Sequence, residues 1–308
     1  MRAFLFPGQG SQAVGMGAAL AEASRAAKDV FDEVDEALGQ NLFRLMREGP
    51  DDELKLTENA QPAIMAHSIA VLRTMGIQLA DVANFVAGHS LGEYSALCAA
   101  GSFDLTTAAR LLKLRGQAMQ QAVPVGEGAM AALLGADLAL AQKIADAAAQ
   151  GEVCTVANDN DPSQVVISGN KAAIDRAIEM AKEMGAKRAV PLPVSAPFHC
   201  PLMQPAAEAM GDALSYVVVQ APVVPLFANV TAQPETDPDT IRDQLVEQVT
   251  GMVRWRESVA NMFDAGVHDF VEVGGKVLGA MVKRIVPDAT VTSVVTIDDV
   301  EAVAKEIA

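Results

Sequence analysis

Aromatic side chains make up only 4% of this 308-residue chain, with one Trp and two Tyr. A core must therefore be built from aliphatic and small residues. The 51% apolar content, rich in Ala, Val, Leu and Met, supplies enough of them for helices packed on a sheet. Positive charge is also scarce: 23 Lys and Arg stand against 39 Asp and Glu, a net charge of −16. Neutralising phosphates needs a basic surface, so the balance argues against nucleic acid, and an anionic membrane is disfavoured for the same reason. An acidic protein partner would need a local basic patch. The three cysteines, Cys98, Cys154 and Cys200, are odd in number and lack C-x-x-C spacing, which leaves neither a disulfide framework nor a zinc site. Cys98 reads as a small buried residue. No apolar run reaches the roughly 18 residues of a membrane span, and the first one breaks at Pro7-Gly8, too early for a signal peptide. The expectation is a cytoplasmic protein in a reducing compartment.

What is present is an alternation of strand-like and helical stretches, the pattern of an α/β sheet covered on both faces. The spacing predicts a strand over 3–6 that ends in the turn Pro7-Gly8-Gln9-Gly10. Helices follow over 17–38 and 59–75, with Thr57 as N-cap of the second. A strand over 82–87 and helices over 91–100 and 105–122 complete this part. The stretch Pro124 to Gly128 has the composition of a linker. Beyond it come a strand (129–134), a helix (137–149), two strands (153–157, 164–168), a helix (171–184) and a strand (187–192), the β-α-β-β-α-β order of a ferredoxin-like unit. The pattern then resumes with helices over 203–215, 238–249, 255–265, 276–285 and 297–307 and strands over 224–228, 268–273 and 290–294. The expected fold is α/β: a hydrolase-like parallel-sheet large subdomain, residues 1–125 and 195–308, carrying an inserted ferredoxin-like small subdomain, residues 126–194.

Between the strand over 82–87 and the helix after it stands Gly88-His89-Ser90-Leu91-Gly92. A G-x-S-x-G turn from strand to helix exposes the serine hydroxyl beside backbone N–H groups at a helix N-terminus, which suits attack on a carbonyl. On its own the motif is short enough to be an ordinary glycine-flanked turn; its strand–helix context favours a nucleophile. A serine needs a base, and only four histidines exist. His89 adjoins the serine and should point away from its hydroxyl. His67 falls inside a helix and reads as a packed residue. His268 opens a strand and reads as solvated. His199 lies in the proline-bounded loop Ser195 to Pro201, where the insert rejoins the larger body and a cleft is expected, so it is the favoured base. An oxyanion hole needs two donors: Leu91 N–H follows from the elbow, and the Gly8-Gln9-Gly10 loop is the best source of the other. As a phosphate loop that segment lacks a lysine and the later glycines.

Four ordered segments resemble those of malonyl-CoA:acyl carrier protein transacylases: Phe6 to Gln12, Gly88 to Tyr94, Leu114-Arg115-Gly116 with Met119, and Pro197 to Met203. The likeness runs on to Val271-Glu272-Val273-Gly274. It implies that Ser90 takes a malonyl group from malonyl-CoA as an ester and passes it to the phosphopantetheine thiol of acyl carrier protein, with His199 as base in both halves. By the same likeness Gln9 and Leu91 hold the oxyanion, the backbone carbonyl of Gln248 orients the histidine, and Arg115 binds the free malonyl carboxylate. Phe198 matches the phenylalanine that disfavours α-methyl groups, and the apolar Leu91 agrees with it. No cofactor is implied: malonyl-CoA is substrate, and phosphopantetheine arrives on the partner. Read by position alone, Arg115 would by default be a surface residue of its helix.

One departure is visible. Relatives carry a proline in E-x-G-P-G-x-V-L, whereas Glu272-Val273-Gly274-Gly275-Lys276-Val277-Leu278 lacks it and is one residue shorter, so a different loop shape is expected. The alternative reading is a serine esterase or thioesterase on the same elbow. That class is expected to show a late acid before a late histidine, which is not evident here. A non-catalytic scaffold for acyl carrier protein is opposed by the intact elbow. Candidates for docking an acidic carrier protein are Lys182, Lys187 and Arg188 on the insert and Lys276, Lys283 and Arg284 late in the chain.

Overall fold

The computed structural model of the protein describes residues 1–307. Ten strands occur in chain order: β1 (Arg2–Phe6), β2 (Phe85–Gly88), β3 (Gly128–Leu134), β4 (Cys154–Asp161), β5 (Gln164–Asn170), β6 (Arg188–Pro191), β7 (Leu226–Phe227), β8 (Pro234–Glu235), β9 (Asp269–Val273) and β10 (Thr290–Val294). They form one sheet in the order β10-β9-β1-β2-β7-β8 and a second in the order β4-β5-β3-β6. The first is parallel except for the short β7–β8 pair. Its centre is β1, whose residues Ala3 to Phe6 are fully buried. Strand alternation splits them: Phe4 and Phe6 enter one core with Val86, Val271 and Val273, while Ala3 and Leu5 enter another with Ala87 and Phe270. That is the signature of a sheet with helices on both faces.

The second sheet is antiparallel throughout and has the ferredoxin-like order. The same alternation divides β3. Ala131 and Leu133 pack with Ile144 and Ile174 of the two helices on one face, while Met130 and Ala132 face the large core. All its strands fall within 126–194, and we propose that stretch as an inserted subdomain.

Several local expectations need correction. The helix expected over 17–38 breaks at Ser24, whose hydroxyl accepts from Ala27 N–H at 3.3 Å and starts a second helix, Arg25–Leu38. Thr57 is not an N-cap; it is the first residue of the helix Thr57–Met75, and its hydroxyl is occupied with Gln9 and Gln61. Leu79–Val82 is a helical turn, so the strand starts at Phe85, an ambiguity short apolar runs always carry. Two short helices, Leu42–Glu48 and Asp51–Lys55, were not expected. β4 runs past 157 through two bulges to Asp161, because its buried Asp159, Asn160 and Asp161 are held by Arg256, His89 and Arg284.

Candidate active site

The elbow is built by what its glycines lack. A Cβ on Gly88 would lie 1.9 Å from the Gly92 carbonyl, and one on Gly92 would lie 2.2 Å from the carbonyl oxygen of Phe6. Only hydrogen fits at either place, so β2 turns tightly into the helix Gly92–Ala99 and leaves Ser90 at φ 54°. A non-glycine residue held there costs about 1–3 kcal/mol, which surrounding bonds must offset. They do so from two sides: Ser90 N–H donates to Asn229 Oδ1 at 2.8 Å, and Gln248 Nε2 donates to Ser90 O at 3.0 Å.

His199 also has positive φ, 56°, in the loop before the short turn Pro201–Met203. Its Nε2 lies 2.7 Å from Ser90 Oγ, and its Nδ1 lies 2.8 Å from the backbone oxygen of Gln248. A carbonyl only accepts, so Nδ1 carries the proton and the Nε2 lone pair faces the hydroxyl. Burial pushes the imidazole down to about 3, and the nearby Arg115 cation pushes the same way. His199 is therefore neutral at neutral pH, as a base must be.

Arg115 is 1% exposed and is not a surface residue. Its Nη1 donates to Gln61 Oε1 at 2.8 Å; its Nη2 donates to Gln248 Oε1 at 2.7 Å and to Ser90 Oγ at 3.2 Å. Gly116 explains how its helix, Leu105–Ala122, comes so close: a Cβ there would lie 2.5 Å from Glu58 Cα, at the start of the helix Thr57–Met75. Every acceptor bonded to the guanidinium is uncharged, so an anion entering the cavity would be its first direct counter-ion. That cavity, about 450 Å³, is lined by Gln9, Ser90, Leu91, Arg115, Phe198 and His199 among others. Thr57 fixes the Gln9 side chain at 2.9 Å. Among the described residues, neither Gln9 N–H nor Leu91 N–H donates to a protein acceptor.

The other histidines sit apart from the hydroxyl. His89 Nε2 bonds Asn160 Oδ1 at 2.8 Å, His67 packs with Nδ1 3.2 Å from Gly274 O, and His268 is exposed, edge-on to Phe263. The late glycine loop has a defined shape: Glu272 caps the helix Leu278–Ile285 through the N–H groups of Val277, Leu278 and Gly279, at 2.8, 2.9 and 2.8 Å. Gly275 packs against Pro7, just before the Gln9 loop. Lys182, Lys187 and Arg188 are exposed and, among the described residues, form no ion pair. In contrast, Arg284 pairs with Asp161 at 2.8 Å and Lys276 approaches Asp299 at 3.9 Å, while Lys283 donates to the carbonyl of Ala289. Among the described residues no cluster suits a metal ion, and no helix is long and apolar enough to cross a membrane.

Three site residues escaped sequence reasoning: Gln61, Asn229 and Glu93. Glu93 follows the elbow directly, and an acid inside so apolar a run is a signal that could have found it. It is 1% exposed; burial pushes its carboxyl up to about 7, opposed by the Asn229 N–H, the Gln248 amide and the Arg115 charge. Gln61 and Asn229 give no such signal, since a single amide in a helix or loop is unremarkable.

A parallel sheet with a serine elbow, a neutral histidine on its hydroxyl and a buried cation beside both defines an α/β acyltransferase. The chain belongs to the acyl transferase domain family, whose profile matches residues 3–296. It is 47% identical over 292 residues to the malonyl CoA-acyl carrier protein transacylase of Escherichia coli, covering 94% of each chain. The crystal structure of acyl-carrier-protein-S-malonyltransferase from Bartonella henselae is 52% identical, with a TM-score of 0.97 over 99% of each chain. A malonyl-transacylase solved in complex with its type II PKS acyl-carrier protein is 40% identical, with a TM-score of 0.96 over 99% of each chain.

Proposed function

We propose that this protein moves a malonyl group from malonyl-CoA to the phosphopantetheine thiol of acyl carrier protein, supplying fatty acid synthesis in the cytoplasm. The observation that carries this reading is one hydroxyl, Ser90 Oγ, standing 2.7 Å from His199 Nε2 and 3.2 Å from Arg115 Nη2. In the first half-reaction Nε2 takes the hydroxyl proton as Oγ bonds to the thioester carbonyl carbon. The N–H groups of Gln9 and Leu91 receive the developing oxyanion, where one such donor is worth roughly 3 kcal/mol. The C–S bond breaks and the CoA thiolate takes the proton back from the imidazolium, leaving a malonyl ester on Ser90. In the second half the carrier thiol gives its proton to His199 and attacks the ester, and Ser90 recovers its proton on leaving.

Arg115 pairs with the free carboxylate through a bidentate, charge-assisted contact. An acetyl group would leave the desolvated cation without an anion, costing on the order of 2–5 kcal/mol. Phe198 crowds an α-methyl. Gln248 orients His199 through its backbone oxygen. The chemistry calls for no cofactor of the protein's own. Lys182, Lys187 and Arg188 receive the acidic carrier protein. Intact-mass measurement after malonyl-CoA treatment tests the proposal: a malonyl adduct on Ser90 that carrier protein discharges supports it. An adduct that water clears as fast, releasing malonate, makes the protein a thioesterase instead.

A further inference from the structure

Among the described residues Glu93 is the one carboxylate inside the catalytic network, and the transfer reaction gives it no task. Its position is defined by two donors. Oε1 accepts from the backbone N–H of Asn229 at 3.1 Å, and Oε2 accepts from Nε2 of Gln248. Each of these partners reaches the centre. Asn229 uses its Oδ1 for Ser90 N–H and its Nδ2 for the Gly88 carbonyl, at 2.8 and 2.7 Å. Gln248 turns its other amide atom, Oε1, to Arg115 Nη2 at 2.7 Å.

The orientation of the Gln248 amide follows from this arrangement. The ionised carboxylate offers only acceptors, as does the Ser90 carbonyl 3.0 Å from the same nitrogen, so the amide presents N–H to both and thereby presents oxygen to Arg115. We infer that Glu93 is a positioning residue that acts through the Gln248 amide to aim Arg115 at the acid end of the acyl group. This inference rests on the malonyl-transfer reading above. Glu93→Gln would break the relay. The Asn229 N–H belongs to the backbone and cannot turn round, so it keeps the amide oxygen. The new NH₂ then meets Nε2 of Gln248, donor against donor, and because the Ser90 carbonyl and Arg115 both oppose a flip, the Gln248 amide is pushed aside and its oxygen drawn off Arg115. Buried networks tolerate such a mismatch poorly, and the weakest link moves.

The test compares single-turnover loading of Ser90, read by intact mass, with malonyl-CoA and with acetyl-CoA. Arg115 touches the Ser90 hydroxyl whichever thioester is bound, but only the malonyl group brings it a carboxylate, so the ratio of the two rates reports the relay and cancels general damage to the elbow. Glu93→Gln is expected to lower the malonyl-to-acetyl ratio by about tenfold, and to lower it no further in an Arg115→Ala background. Gln248→Met, which removes the relaying amide and keeps the side-chain bulk, should reproduce the loss and gives the answer if Glu93→Gln does not fold. Equal loss with both thioesters, or a full effect of Glu93→Gln without Arg115, overturns the inference and makes Glu93 a structural support of the elbow. Wild-type protein that fails to form a malonyl adduct overturns the transfer reading itself, a result distinct from either.

Discussion

At the scale of single residues, the centre works by keeping charges out of water without direct counter-ions. His199 is held neutral by burial and by the Arg115 cation, with its pKa near 3 instead of the usual 6.5. A base with a lowered pKa stays competent as pH falls through 6.5 and is lost only further down. The acid limb that His199 gives to kcat/KM should therefore lie well below pH 6.5 with acetyl-CoA, which has no carboxylate for the Glu93-positioned Arg115; a limb at or above that value would show that burial does not lower this imidazole. Arg115 is bonded to two amide oxygens and one hydroxyl, so its substitution falls chiefly on anionic substrates. Arg115→Ala should reduce the preference for malonyl over acetyl loading by about 30-fold or more, the equivalent of at least roughly 2 kcal/mol. An unchanged preference in competition assays would remove Arg115 from substrate selection.

At the scale of elements, glycines decide how closely backbones approach. Gly92 sets the elbow helix on β1, and Gly116 sets the arginine-bearing helix on the helix Thr57–Met75. Neither clash is with a flexible side-chain tip, so backbone must shift. Gly92→Ala and Gly116→Ala are each expected to lower stability by about 1–3 kcal/mol or more in urea titrations, and both should lower loading. Gly211 is the counter-example. It lies within the helix Gln204–Ser215, where an added Cβ would meet only Val246 methyls at 3.8 and 3.9 Å. Gly211→Ala should raise stability by about 0.5–1 kcal/mol, because it removes unfolded-state freedom without a clash.

At the scale of the molecule, β4 ties the second sheet to the helices Trp255–Asp264 and Leu278–Ile285. Asp159, buried, pairs with Arg256 at 2.8 Å, and fully buried Asp161 pairs with Arg284. Both arginines are partly in solvent, which weakens the pairs relative to a sealed ion pair. Asp159→Asn should still cost about 1–3 kcal/mol by thermal melting, since Val253, just before the helix Trp255–Asp264, pairs with Asn158 beside it and Asn158 lines the cavity. Docking belongs to this scale too. With −16 overall, the protein repels an acidic carrier except through local basic groups. Raising salt should slow turnover with carrier protein more than turnover with a small thiol; equal sensitivity would dismiss the Lys182, Lys187 and Arg188 patch.

The chain alone determined the alternation of strands and helices, the ferredoxin-like order of the second sheet, the elbow at Ser90 and the choice of His199, because these rest on local periodicity and on motifs a few residues long. It also held Arg115, Gln9, Leu91, Phe198 and Gln248 through ordered resemblance, although nothing local separates Arg115 from a surface arginine. Only the tertiary structure decided that the guanidinium is buried on amides from positions 61 and 248, and that Glu93 and Asn229 support both it and the strained serine. Those contacts join residues 54 to 155 positions apart. An amide carries no mark of its partner in sequence, and whether a charge is solvated or desolvated is settled by what packs around it once the chain has closed.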